Sequence, residues 1–171
     1  EKVFDNVMHK FKFGGIDKPG IYLDETVMRM CFTHRRLLSQ LALNLVQEGQ
    51  PDKAKQVLDK AEKEIPDYNV RHDYQSGSLD LVRAYALTDQ PQKAQKLLDE
   101  LWKKSCQYIQ WYCSLDGMRF SSSERDCMLH IYLMQQMLEV QDMISEEEAD
   151  KKEQQLGGYM RLFQSKGGSW E

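Results

Sequence analysis

β-Branched residues are scarce in this chain. It holds eight Val, six Ile and three Thr against nineteen Leu. A β-rich fold draws on such residues, whereas the abundant Leu, Gln, Lys, Glu and Met favour helix. No apolar run of about 18 residues is present, so no segment spans a bilayer as a helix. Residues Glu1 to Lys12 have neither the basic start nor the apolar middle of a signal peptide. An initiator Met is also missing, which reads as a piece cut from a longer protein or a mature form. The four cysteines form no Cys-x-x-Cys pair, and four in 171 residues do not make a disulfide scaffold. All four fall in helical apolar patterns and read as buried free thiols. A basic excess is lacking too. The net charge is −4 and the pI about 5.6, which argues against nucleic acid as the main partner. A chain of 171 residues suits one domain, large enough to bury roughly 70% of its unfolded surface without a metal or a disulfide.

What is present is a repeat. Glu48-Gly-Gln-Pro-Asp-Lys-Ala-Lys-Gln-Val-Leu-Asp-Lys60 aligns without a gap on Thr88-Asp-Gln-Pro-Gln-Lys-Ala-Gln-Lys-Leu-Leu-Asp-Glu100. In each copy a helix ends, a turn follows, and Pro opens the next helix, where its missing N–H costs nothing. Leu38, Leu41, Ala42 and Leu45 form an apolar stripe ahead of the first copy. Leu81, Val82 and Tyr85 do so ahead of the second. Each unit is therefore a helix, a tight turn and a second helix. With Arg35 as the first position, small residues fall on Ala42, Gly49, Ala54 and Ala61, and a terminating proline on Pro66. This pattern resembles the tetratricopeptide repeat, in which two closely crossing helices need small residues at their contact.

The second unit, from Gln75, departs from the pattern at Val82, Leu101 and Cys106, and extra residues lie around Asn69 to Tyr74. With no proline near 106, one helix is expected from about Pro91 to about Leu115, broken by Asp116-Gly117. Capping boxes at Ser121-x-x-Glu124 and Ser145-x-x-Glu148 predict two further helices. Gly157-Gly158 weakens the second of these locally, and Gly167-Gly168-Ser169 reads as a frayed tail. The expected organisation is an arm or linker over 1–23, packed on the repeat domain, and a helical domain over 24–171 with units at about 24–68, 72–115 and 121–165. The fold class is all-α: a right-handed tetratricopeptide-like solenoid of about three helical pairs, the last acting as a cap.

A second set of strings carries a further resemblance. Asp5-Asn-Val-Met8, Lys12-Phe13, Lys18-Pro-Gly-Ile-Tyr-Leu-Asp-Glu25, Val27-Met-Arg-Met-Cys31, Thr33-His-Arg-Arg36, Ile65-Pro-Asp-Tyr-Asn69 and His72-Asp-Tyr-Gln-Ser-Gly77 occur in order. Together they resemble the soluble C-terminal tail of a family of large bacterial multi-pass membrane proteins, long labelled a domain of unknown function. The membrane part of that family is similar to protein O-mannosyltransferases. The resemblance covers roughly residues 3–115 and fades over the last helices. It implies a non-catalytic accessory or protein-interaction domain outside the cytoplasm, on the periplasmic side, attached to a membrane-bound glycosyltransferase-like protein. The implied partners are that parent membrane domain and a protein or peptide segment, such as a glycosylation acceptor. It places no catalytic residue on this chain, because the acids of glycosyl transfer lie on loops of the membrane part. The alternative is a stand-alone tetratricopeptide adaptor that binds a peptide in its concave groove.

In tetratricopeptide geometry the groove positions fall on Arg36, Ser39, Leu43 and Gln47 of the first unit and on Ser76, Leu79, Arg83 and Leu87 of the second. Arg35 and Arg36, with Arg83, are expected on this concave face, where guanidinium groups can fork onto a carboxylate or phosphate. The competing reading is a solvated face with local ion pairs. His72-Asp73 invites a metal or acid–base reading, but adjacent loop residues rarely converge on one ion, and Asp73 also suits a helix cap. Asp126, Cys127 and His130 share one helix face and supply only part of a zinc site, so a packed thiol and a hydrogen-bonded His are expected. Trp102, Tyr108, Trp111 and Tyr112 crowd one helix and are expected to be mostly packing, with Trp111 as the candidate for exposure. No metal, no cofactor and no enzymatic activity of this segment are expected. Gly14-Gly15 lacks the strand, spacing and Lys of a phosphate loop.

Overall fold

In the computed structural model, which describes residues 2–170, the regular elements are all helical, with no strand among the described residues. A short helix α1 (Lys2–Asp5) runs into a π-helical turn (Asn6–Lys10). There follow α2 (Glu25–Gln47), α3 (Pro51–Glu64), a 3-10 turn (Tyr74–Ser76), α4 (Ser78–Leu87), α5 (Pro91–Ser114), α6 (Gly117–Ile144) and α7 (Glu146–Ser165). Helix α5 is uninterrupted through Cys106, as the missing proline there predicts. The chain divides into two compact units, one up to Leu97 and one from Leu98.

The first unit is built on the repeat. Asp24 opens α2, its carboxylate accepting from the Val27 N–H at 2.8 Å, and Pro51 starts α3 where no N–H is needed. Gly49 takes φ +72° to turn the chain between them, as the repeat requires. Ala42 and Ala54 are wholly enclosed and Ala61 nearly so, which lets α2 and α3 approach closely. Val57, Leu58, Leu38, Leu45 and Val82 complete this core. Helix α4 packs beside α2, so the two leading helices of the repeat are neighbours.

The first residues lie along α3. Phe4 and Val7 are buried, with the Lys53 ammonium 5.4 Å from the Phe4 ring. Phe13 is buried under Lys60, 5.7 Å from its ring, and meets His34 edge-on at 5.6 Å. The segment is fastened by the loop after α3. The Asn69 side-chain amide donates to Ile16 O at 2.6 Å and Lys18 O at 2.7 Å, and the Tyr68 hydroxyl donates to Asp17 O.

In the second unit the core is formed by Leu101, Ile109, Phe120, Ile131, Met134, Met137, Leu156 and Phe163. Lys152 is nearly enclosed, yet its ammonium bonds Asp99 at 2.8 Å and lies 5.8 Å from the Trp102 ring. Its aliphatic stem is thus buried while the charge stays paired. Two expectations are corrected here. Helix α6 begins at Gly117, not after Ser121. Ser121 bonds back to Gly117 O at 3.3 Å and Ser122 to Met118 O at 2.8 Å, so both hydroxyls serve the helix interior instead of capping it. The tail after α7 is not frayed either. The Gly168 N–H closes onto Phe163 O, the Ser169 N–H onto the Glu124 carboxylate, and the Trp170 ring lies 4.8 Å from Phe163. Ser145 does cap α7, accepting from Glu148 N at 3.4 Å.

Candidate functional site

The expected groove residues belong to α2, the 3-10 turn (Ser76) and α4, all in the first unit. Arg36 is exposed, and its Nη2 donates to Gln75 O at 2.8 Å. Gln47 is exposed, Leu43 and Leu79 are half-buried, and Leu87 is 44% exposed. Arg83 is half-buried and pairs with Asp80 at 3.3 Å, one turn ahead on α4. An accessible face therefore combines two guanidinium groups with Leu and Gln side chains.

Three residues read as groove-lining are not. Ser39 is fully enclosed, its hydroxyl donating to Arg35 O at 2.9 Å and reaching Gly77 O at 3.5 Å. Ser76 is enclosed as well, bonded to Asp73 N at 2.9 Å and to the Ser78 hydroxyl at 2.6 Å. The cause is the approach of the chain at Gly77, where a Cβ would stand 2.8 Å from Arg36 Cα. At this register the start of α4 rests directly on α2. Arg35 is the third correction. It is 1% exposed and directed inward, away from the accessible face. Its guanidinium donates to Ile65 O at 3.0 Å, Arg71 O at 3.3 Å and Val70 O. Arg35 thus holds the loop between α3 and α4. The signal was present in the sequence: Arg35 lies on the same helical stripe as Cys31, Leu38, Ala42 and Leu45, all of them buried.

The other candidates have structural partners. His72 Nδ1 meets the Ser78 hydroxyl at 2.8 Å, and Asp73 caps the 3-10 turn by accepting from Gln75 N at 3.3 Å. His130 is buried, lies 3.4 Å from the Ser105 hydroxyl and stacks on Tyr108 with ring centres 4.3 Å apart. Among the described residues no group of three or more His, Cys, Asp or Glu side chains could hold a metal ion. Trp102 is buried with its N–H on Gln155 at 2.7 Å, whereas Trp111 is 56% exposed beside Tyr112. A shallow cleft of about 450 Å³, which the sequence did not announce, lies along the first turns of α2 between Glu25, Thr26, Arg29, Met30, Thr33 and His34. Its two charges, Glu25 and Arg29, pair with each other at 2.6 Å.

All four cysteines are buried. Burial pushes each thiol above its ordinary value, and Cys127 is pushed up to about 12 by burial and then by the neighbouring Cys113. The unfolded thiol titrates near 9. The stability tied to the neutral thiols is thus fully present below that pH and is lost as pH rises through the window toward 12. Under reducing conditions the urea midpoint should hold steady from pH 7 to about 8 and fall above about 9. In Cys127→Ala the alkaline fall should be shallower, whatever the midpoint at pH 7. An unchanged slope would remove Cys127 from this account.

A tetratricopeptide repeat family model aligns with residues 45–111. That stretch runs from the end of α2 to late in α5 and contains both copies of the repeat. No curated protein and no solved structure matches.

Proposed function

From this repeat we propose that the chain is a non-catalytic interaction domain, and that the face of α2 and α4 takes an extended acidic segment of a protein partner. The observation that carries the reading is the pairing of an exposed Arg36 with a half-exposed Arg83 on adjacent helices, among Leu43, Leu79, Leu87 and Gln47. Arginine forks match carboxylates, and the leucines offer apolar contact between charges. Asp80 holds Arg83 in place until a ligand carboxylate displaces or joins it.

The sequence strings between Asp5 and Gly77 extend the proposal. They support an accessory domain of a membrane-bound glycosyltransferase-like protein, outside the cytoplasm, that presents acceptor proteins to it. A reading frame that continues upstream of residue 1 into several membrane-spanning helices is the expected outcome. A start codon directly before residue 1 would favour the free-standing adaptor instead.

The face itself is tested with labelled extended acidic peptides, by fluorescence anisotropy at low and at physiological salt. Arg36→Ala with Arg83→Ala should weaken binding by about tenfold or more, the worth of one to two charge-assisted contacts. Equal binding by the double variant, with its helical content intact, removes this face from the proposal.

A further inference from the structure

Two buried thiols of the second unit face each other. Cys113 lies in the last turn of α5 and Cys127 in the middle of α6, with their sulfurs 3.9 Å apart. The other cysteines are placed differently. Cys106 shares a hydrogen bond with the Tyr159 hydroxyl, and Cys31 lies in the first unit beside Arg35. We propose that Cys113 and Cys127 are a dithiol that closes to an intramolecular disulfide, stapling α5 to α6 when the chain meets an oxidising thiol–disulfide pool.

A disulfide needs its sulfurs about 2.05 Å apart. The 3.9 Å separation must therefore close by about 2 Å, through side-chain rotation and a small shift of the two helices. The two residues have unequal roles. Either thiol can donate in the Cys113–Cys127 contact. Burial raises the Cys113 thiol, and the positive charge of Lys166 works against that rise, favouring its thiolate. Cys113 also has the better route to solvent. It precedes Ser114, the last residue of α5, and the short connection of Leu115 and Asp116 follows directly. Fraying of that last turn uncovers Cys113 before anything uncovers Cys127.

The chemistry balances with a low-molecular-weight disulfide such as oxidised glutathione. The Cys113 thiolate attacks one sulfur of the oxidant, the oxidant's S–S bond breaks, and the released thiolate takes up the proton that Cys113 lost. Cys127 then gives up its proton and attacks the Cys113 sulfur, expelling the second glutathione as its thiol. Two protein thiols become one disulfide and one glutathione disulfide becomes two thiols.

The test incubates the folded chain, at mildly alkaline pH, with oxidised glutathione. A second sample is refolded in a glutathione redox buffer. Both are alkylated under denaturing conditions and mapped by peptide mass spectrometry. A Cys113–Cys127 cross-linked peptide is expected, with Cys31 and Cys106 alkylated. The thermal midpoint should rise by about 5 °C or more and return on addition of dithiothreitol. Cys113→Ser should abolish the cross-link, and Cys106→Ser should leave it. Free alkylation of Cys113 and Cys127 in both samples overturns the proposal. Pairing of either one with Cys106 or Cys31 does the same.

Discussion

Arg35→Ala is expected to lower stability by about 3–5 kcal/mol, seen as a large fall in the urea midpoint without loss of the cooperative transition. The guanidinium is enclosed, and it is the group that satisfies Ile65 O, Val70 O and Arg71 O. Deleting it leaves carbonyls of the loop between α3 and α4 without this donor, and it opens a cavity the size of a long side chain. Arg35→Lys keeps the charge but supplies a single point donor in place of a fork, so an intermediate loss of about 2 kcal/mol is expected. The adjacent exposed Arg36 is the control. Arg36→Ala should change stability by no more than about 0.5 kcal/mol. If Arg35→Ala were as mild as Arg36→Ala, the loop would be held by something other than Arg35.

Gly77→Ala is expected to cost about 3 kcal/mol by the same measurement. Two effects combine. Gly77 stands at φ +72°, where an L-residue is strained, and the new Cβ would lie 2.8 Å from Arg36 Cα and 2.9 Å from Arg36 Cβ. A backbone atom cannot swing aside, so α4 must shift away from α2 and carry the accessible face with it. Gly20→Ala separates the effects. Gly20 has φ +77° but nothing within 4 Å of its added Cβ, so only the conformational part, about 1 kcal/mol, remains. Gly77→Ala should therefore also weaken acidic-peptide binding, and Gly20→Ala should not.

The parts of the fold written in local patterns were legible in advance. The small residues at Ala42, Ala54 and Ala61, the Pro51 and Pro91 helix starts and the unbroken course of α5 all follow from spacing and backbone chemistry. What escaped was tertiary. Arg35 obeys the helical period of the buried stripe, but an arginine on such a stripe is credible only once several carbonyls converge on it, and these come from residues 30 to 36 positions away. Ser39 fits the groove by numbering and fails because Gly77 brings the next helix onto it. Ser121 offers a correct capping string, yet Asp116-Gly117 lets the helix start a turn earlier. The 3.9 Å approach of Cys113 and Cys127, 14 residues apart on different helices, has no periodic signature at all.

The first residues run along α3, pinned at Phe4, Phe13 and Asn69. The accessible face belongs to the other two helices of that unit, α2 and α4. Anything joined ahead of residue 2, whether a natural neighbour or a purification tag, is delivered onto the α3 side. Immobilising the protein through that end on a sensor surface should leave the α2–α4 face open to analyte.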